Sequence, residues 1–349
     1  MRKKLYTRGL LAVLAVAALA AGCKKEDEPK PSENEGNAVT VEKSKDDIVD
    51  GKIVNDAVLL TVNDTRVTYS EAMVYVNMIR DKYEPVLTEH IWTFKVDGDK
   101  TFEDLAKEEI IYQIIRLKIM HDQAMKQNVL LTADEEIEVE DGAASFLLGI
   151  SMNDQKEYGI NHDIVRTIYE DNYLAGKLFN VVTMDVDTVV TEEESRCVNV
   201  KQYFSMFMGT GKDGIKHNGT GTEKQDALNR AQIAYDKIFN KNIDFLSLAA
   251  SGSDNKKTSC IYSRGELPQN IEEAVFSLKD GEKTEILEGD DGYYFFYCIS
   301  SDDKNGKKNK KNEIIKERQD KEFEKLYDEW LNESNVTIVT DLWNRIKLK

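Results

Sequence analysis

Residues 242–282 read NIDFLSLAASGSDNKKTSCIYSRGELPQNIEEAVFSLKDGE, and this stretch gives the clearest local signals in the second half of the chain. The apolar run from Asp244 to Ala250 predicts a short helix. The polar residues 251–258 predict a loop, because they are mostly Ser, Gly, Asp, Asn and Lys. Residues 270–278 predict another short helix. Two short helices joined by a polar segment are therefore expected here.

The segments on either side of this stretch predict strands and one longer helix. Strands are indicated by β-branched and aromatic residues, and the helix by apolar residues at helical spacing. These predicted elements are a strand at 198–208, a helix at 223–240, and closing strands at 286–287 and 293–299. Residues 191–303 thus predict one domain with the element order β-α-α-β-α-β-β.

Residues 53–190 predict a helical lobe introduced by a small hairpin. The hairpin strands are expected at 57–62 and 66–68, around an Asn-Asp turn. The longest helix begins at Thr101, and its apolar residues recur at helical spacing on a broad face. His121 falls in the buried part of this helix and is interpreted as a satisfied core or surface histidine rather than a ligand.

Residues 304–349 are predicted to return to this lobe. The basic run 304–311 is interpreted as a solvated interdomain loop, with contact to an anionic membrane surface as the alternative. A helix is expected at 312–333 and a strand at 336–339, and this strand needs a sheet to join. The hairpin at 57–67 is an available partner. The predicted fold class is α+β, a helical lobe of N- and C-terminal segments with the β-α-α-β-α-β-β domain inserted.

The composition excludes several classes of protein. The 349 residues suggest about two domains, and the formal charge of -17 argues against a nucleic-acid binder. The four His and four Cys show no CxxC or HxxxH spacing, so neither a metal site nor a cofactor is predicted. No phosphate-binding loop, GxGxxG motif or Ser-His-Asp order is present.

The first 22 residues are predicted to be a signal peptide. A basic start precedes an apolar run that would span about 21 Å as a helix, short of the ~30 Å of a hydrocarbon core. Its end, LAAGC at 19–23, resembles a bacterial lipoprotein signal, which implies cleavage before Cys23 and thioether lipidation of that residue. A plain secretory cleavage site is the alternative. Residues 23–52 then predict the lipidated Cys and a flexible polar tether.

Three cysteines remain after Cys23, namely Cys197, Cys260 and Cys298. An odd number allows at most one disulfide in an extracytoplasmic protein. Either Cys197 pairs with Cys298, or the three are small buried residues.

Four blocks in the second half resemble parvulin-type (PpiC) peptidyl-prolyl isomerases. NIDFLSLA at 242–249 resembles G-x-D-F-x-x-L-A, and SRGEL at 263–267 resembles G-R-G-E-M. IEEAVFSLKDGE at 271–282 resembles F-E-x-A-A-F-x-L-x-x-G-E, and GYYFF at 292–296 stands where the family reads G-Y-H-I-I. Both LLTVNDTRVTYSEA (59–72) and the helix from 108 to 136 resemble the chaperone lobe of SurA-like and PrsA-like foldases.

The resemblance implies an apolar proline slot beside a polar set of two His and a Cys or Asp. The slot positions fall at Leu267, Ile271 and Phe276. The polar positions fall at Phe204 or Tyr203, at Thr258 by ungapped counting, and at Tyr294. Both family histidines are therefore replaced.

The function implied is a membrane-anchored, extracytoplasmic foldase or chaperone with a degenerate isomerase site. Its partners would be unfolded or Pro-containing secreted polypeptides and, through the lipid anchor, the membrane; the resemblance also allows a homodimer. Two alternatives remain at this point. One is an active prolyl isomerase in which Tyr203, Thr258 and Tyr294 converge on Leu267 and Ile271, and the other is a solute-binding or envelope-scaffold lipoprotein.

Overall fold

The computed structural model describes residues 47–207, 209–210, 216–217, 219 and 221–348. The predicted signal peptide, Cys23 and the predicted tether up to residue 46 lie outside these residues. The chain divides into two compact units. The first holds the described residues up to Asp185 together with those from Glu322 onward, and the second holds Val186–Lys321. Within the described ranges, no helix is both long enough and apolar enough to cross a membrane.

Both units contain helices and strands. In chain order the helices are α1 (Tyr69–Leu87), α2 (Phe102–Lys126), α3 (Ala133–Leu147), α4 (Met152–Tyr158), α5 (His162–Val182), α6 (Gly221–Phe239), α7 (Phe245–Gly252), α8 (Gln269–Phe276), α9 (Lys304–Glu333) and α10 (Thr340–Trp343), with a 3-10 helix at Glu89–Thr93. The strands are β1 (Ile48–Val49), β2 (Lys52–Ile53), β3 (Val58–Val62), β4 (Thr65–Thr68), β5 (Lys95–Asp97), β6 (Lys100–Thr101), β7 (Cys197–Met206), β8 (Gly209–Thr210), β9 (Lys216–His217), β10 (Ser259–Ser263), β11 (Leu287–Glu288), β12 (Gly292–Ser300) and β13 (Val336–Ile338).

The helix starts of the first unit follow from capping residues in the sequence. Thr101 and Asp104 form a reciprocal capping box at the start of α2, and Thr132 and Glu135 form another at α3. The side chain of Asn161 accepts a hydrogen bond from the first turn of α5. These contacts satisfy backbone N–H groups that have no partner within the helix.

The C-terminal strand joins the opening hairpin, as the sequence predicts. β13 pairs antiparallel with β3, Val336 opposite Val62 and Ile338 opposite Leu60, so the sheet order is β13-β3-β4. The turn residue Asn63 has a φ of 51° and accepts a hydrogen bond from the Asn335 N–H through its side chain.

The end of the predicted tether differs from the prediction, because it is ordered. Ile48 pairs with Ile53, and Val49 with Lys52, across a turn in which Asp50 and Gly51 have positive φ. Ile48 and Ile53 pack against the core of the first unit, which gives this short hairpin its apolar contact.

The second unit is built on an antiparallel sheet of order β10-β7-β12-β11. The element order is the predicted β-α-α-β-α-β-β with one addition, the small hairpin β8–β9. Side chains alternate across the sheet, so each face has its own core. One face packs under α8 and contains Val198, Val200, Ile271, Val275, Phe276, Phe296 and Cys298. The other packs under α6 and α7 and contains Tyr203, Ala234, Ile238, Phe245, Ala249 and Phe295.

The basic run 304–311 is helical, which corrects its interpretation as a loop. α9 begins at Lys304, where Asp303 accepts a hydrogen bond from the Gly306 N–H at 2.7 Å. Lys307 and Lys311 both bind the carboxylate of Glu192, and their hydrogen bonds lower the pKa of Glu192 to about 2. The negative charge of Glu192 offsets the repulsion between Lys307 and Lys311, which would otherwise destabilise the helix here.

The three cysteines of the second unit are buried free thiols. Cys197 lies opposite Ser263 and Cys298 opposite Val200 in the sheet, so Cys197 and Cys298 are not paired. The interpretation of these residues as small buried side chains is the one observed.

Candidate functional site

The candidate site lies on the α8 face of the second unit, where β7 ends beside the start of β12. Phe204 and Tyr294 stand directly opposite each other in the register of these two strands. Their ring centroids are 4.4 Å apart with planes 29° apart, which is a stacked arrangement. Phe204 is buried and Tyr294 is half-buried. The two positions therefore hold a stacked pair of aromatic rings.

The hydroxyl group of Tyr294 already has a partner. It donates a hydrogen bond to Asp291 Oδ1 at 2.7 Å. Burial, followed by the hydrogen bond to Asp291, raises the pKa of Tyr294 well above its ordinary value. The phenol is thus neutral at any physiological pH, and its proton is directed to the carboxylate.

Two glycines fit closely against the stack. A Cβ atom at Gly292 would lie 2.4 Å from both Phe204 Cε2 and the carbonyl oxygen of Ser205. A Cβ atom at Gly289 would lie 2.9 Å from the Tyr294 ring and 3.2 Å from Ile271 Cδ1. A side chain at Gly289 would therefore displace the Tyr294 ring, and one at Gly292 would displace the Phe204 ring.

The three predicted slot residues differ in their exposure. Leu267 is half-buried, whereas Ile271 is fully buried and Phe276 is 3% exposed. The guanidinium carbons of Arg264 and Arg196 lie 4.2 and 5.6 Å from the Phe276 ring centroid. Leu267 and Tyr294 are thus partly exposed at the edge of this core, whereas Ile271 and Phe276 lie within it.

Tyr203 is separated from the Phe204–Tyr294 stack by the sheet, and Thr258 is bonded to β7 through its backbone. Thr258 precedes β10, and its carbonyl oxygen accepts a hydrogen bond from the Gln202 N–H. Tyr203 lies on the opposite face of the sheet, where its hydroxyl donates to the carbonyl oxygen of Gly252 at 2.8 Å and its ring stacks on Phe295. The structure brings together Phe204, Tyr294, Leu267 and Ile271.

The sequence did not predict that the carboxylate of Asp254 lies at the end of β7. The Asp254 N–H donates to the Phe204 carbonyl oxygen, and Asp254 Oδ2 accepts hydrogen bonds from the Met206 N–H and from Arg230.

On the α8 face, a hydrogen-bonded pair formed by Tyr262 and Gln202 was also not predicted. The Tyr262 hydroxyl donates to Gln202 Oε1 at 2.6 Å, and Gln202 Nε2 donates to the carbonyl oxygen of Lys257 at 2.6 Å. The Gln202 amide is thus bonded through both its oxygen and its nitrogen. Among the described residues, no group of three or more His, Cys, Asp or Glu side chains is arranged to hold a metal ion.

Comparison with known families defines the class of the second unit. Residues 214–300, which lie in the second unit, match the family described as rotamase, PPIC-type PPIase domain. The match starts after β7 and includes Leu267, Ile271 and Tyr294 but not Phe204. Recognition of this family from the sequence blocks is confirmed.

Over most of its length the chain is similar to foldase protein PrsA of Caldanaerobacter subterraneus subsp. tengcongensis. The two are 26% identical over 305 residues, covering 84% of this chain and 89% of that protein. Among solved structures, PrsA from Lactococcus lactis is 16% identical, with 80% of this chain and 94% of that chain covered and a TM-score of 0.34. A structure reported with two SurA-like chaperones of Campylobacter jejuni is 11% identical, covers 81% and 98%, and has a TM-score of 0.29.

Proposed function

We propose that this protein is a lipid-anchored extracytoplasmic foldase that holds unfolded or Pro-containing secreted polypeptides. In this proposal its parvulin-type domain binds such segments with little or no isomerase activity. The observation that carries the proposal is the stacked Phe204–Tyr294 pair, which occupies the two positions that the family resemblance assigns to histidine.

The chemistry of prolyl isomerisation explains why this pair matters. Rotation about a peptide bond has a barrier of ~18–20 kcal/mol, because resonance is lost in the twisted amide. A catalyst lowers this barrier by placing polar groups against the twisted amide. Here one ring has no polar atom, and the hydroxyl of the other is bonded to Asp291. Little remains at these positions to stabilise the transition state.

Binding places fewer demands on the site than catalysis does. Pro-containing chains favour the extended polyproline II conformation, which docks on aromatic and apolar surfaces. The half-buried Leu267 and Tyr294 side chains offer such a surface, and the close-fitting turn at Gly289 holds the tyrosine ring in place. This geometry supports a site that receives a proline ring without reacting with it.

The rest of the chain supports a foldase rather than an isolated isomerase domain. Similarity to a PrsA foldase extends over 84% of the chain and therefore includes the helical unit. The sequence that ends at Cys23 resembles a lipoprotein signal, which supports a location on the outer face of the bacterial cell membrane.

The alternative of an active isomerase with substituted residues is less well supported. It requires Tyr203, Thr258 and Tyr294 to lie on one side of the sheet. The side chain of Tyr203 belongs to the core under α6 and α7. The proposal of a binding site without efficient catalysis therefore fits the geometry better.

Replacing Leu267 by Asp is expected to weaken binding of a short Pro-containing peptide by about tenfold or more. The substitution removes an apolar contact worth about 1.5–3 kcal/mol, and each 1.4 kcal/mol corresponds to tenfold in affinity. Isothermal titration of the purified protein would measure the loss, and suppression of aggregation of an unfolded protein should decline in parallel.

The matched control is Leu246→Asp. Leu246 is 39% exposed and belongs to α7, on the other side of the sheet. Binding should be unchanged in this variant. Equal losses in the two variants, or no loss in Leu267→Asp, would place the peptide site elsewhere.

A further inference from the structure

A cluster of ionisable side chains lies in the interior of the first unit, where α1, α2 and α5 meet. Its members are Glu71 from α1, Lys118 and His121 from α2, and Asp171 from α5. Lys118 and Asp171 are 3% and 1% exposed, and Glu71 is 8% exposed. Ionised groups are costly to bury unless they are paired, so their arrangement calls for a physical explanation.

Asp171 holds the cluster together. Lys118 Nζ donates a hydrogen bond to Asp171 Oδ2 at 2.7 Å, and His121 Nδ1 lies 2.8 Å from Asp171 Oδ1. Lys118 Nζ also forms an ion pair with Glu71 Oε1 at 2.7 Å. One lysine thus serves two buried carboxylates, and the histidine is the remaining source of positive charge.

Other charged and titratable groups lie near His121. Glu170 of α5 is bonded to Arg166, and Asp122 of α2 accepts a hydrogen bond from Asn63. The Tyr75 hydroxyl of α1 is fully buried near both cluster carboxylates, and burial raises its pKa, so it stays neutral. With neutral His121 the cluster carries one net negative charge, and protonation of His121 brings it to zero.

We propose that this cluster is a proton switch built into the helical unit: protonation of His121 neutralises the buried charge and tightens the packing of α1, α2 and α5. The imidazole is the accessible member of the cluster, with its side chain 31% exposed, so a proton can reach it without opening the unit. Because His121 contacts Asp171, its added charge acts electrostatically on Lys118 and Glu71 as well.

The sign of the effect follows from two shifts. The hydrogen bond to Asp171 raises the pKa of His121 above its ordinary value of 6.5. A raised pKa means that the folded unit binds the proton more tightly than the unfolded chain does. The stabilisation contributed by His121 therefore grows as the pH falls through its raised pKa, and it is fully present below about pH 6.5, the ordinary pKa of histidine. Burial also raises the pKa of Glu71, so its protonation at lower pH acts in the same direction.

Tryptophan fluorescence can follow this unit alone. All three tryptophans, Trp92, Trp330 and Trp343, are buried in the first unit. On lowering the pH from 8 to 6, the unfolding temperature reported by fluorescence should rise by about 2–4 °C, the shift expected for about 1 kcal/mol in a unit of this size. The rise should be lost in His121→Gln and kept in His162→Gln, whose histidine lies at the start of α5 beside Glu140. An equal rise in both variants would overturn the proposal.

An NMR titration keeps the proposal testable even where His121→Gln folds poorly. The chain has four histidines, and the signal of His121 can be assigned by substituting His90, His162 and His217 in turn. In the otherwise unaltered protein this signal should titrate above pH 6.5. A His121 pKa at or below 6.5 would overturn the switch whatever the stability measurements show.

Discussion

Replacing Lys118 by Met is expected to destabilise the helical unit by about 3–5 kcal/mol, the usual cost of removing one partner of a buried ion pair. Methionine fills much of the same volume but leaves Glu71 and Asp171 buried without their shared cation. Burial alone lowers the pKa of Lys118, but the two carboxylates more than offset this and raise it, so the folded protein contains the charged ammonium group. Urea unfolding followed by tryptophan fluorescence at pH 8 would measure the loss.

The control for this experiment is Lys126→Met in the last turn of the same helix. Lys126 is exposed, so its replacement should change the free energy of unfolding by no more than about 0.5 kcal/mol. A loss below about 1 kcal/mol in Lys118→Met would contradict the account, since it would mean that the carboxylates are neutral or hydrated in the folded unit.

Replacing Cys23 by Ser is expected to release the protein from the membrane almost completely. The proposed anchor is a lipid joined to Cys23 through a thioether. Each buried CH₂ group contributes about 0.8 kcal/mol, so a single chain binds reversibly whereas two give stable attachment. Serine cannot form the thioether, and all of this affinity is lost in one substitution. Fractionation of cells and intact-protein mass measurement would detect the loss of both the lipid and the membrane association.

Lys25→Gln is a suitable control, because it changes the predicted tether without touching the modified sulfur. This variant should stay in the membrane fraction with an unchanged lipid mass. Retention of Cys23→Ser in that fraction would favour the plain secretory interpretation together with another means of attachment.

Local patterns were enough to predict most elements of the second unit. The apolar run after Asp244 became α7, with the Asp244 side chain as its cap, and the aromatic run at 293–299 became β12. The alternation of side chains in β12 places Tyr294 and Phe295 on opposite faces of the sheet. These features depend on residues close together in the chain, where periodicity and capping carry the information.

Contacts between distant residues could not be predicted in the same way. Helix α9 begins eight residues earlier than expected, because Glu192 binds two of its lysines from far away in the sequence. The carboxylate of Asp254 at the end of β7 was not predicted, since an irregular loop leaves no periodic signal. Nor does the sequence show that Arg196 and Arg264 lie over Phe276.

The buried cluster of the first unit shows the same limit. The sequence pattern favours a satisfied histidine at His121, and the bond of His121 to Asp171 agrees with this interpretation. Its partners come from three helices, and each of them looks like one more charge in an acidic chain. Only the packing of α1, α2 and α5 reveals that they share one lysine.

The most direct test of the proposed function is the rate of cis–trans exchange of a short X-Pro peptide, measured by NMR with the purified protein. Uncatalysed exchange takes tens of seconds or longer, so even weak catalysis is detectable. We expect the rate to stay at background while the same sample suppresses aggregation of an unfolded protein. Exchange clearly above background that Tyr294→Phe or Thr258→Ala abolishes would contradict this account and show a working isomerase with a substituted polar set.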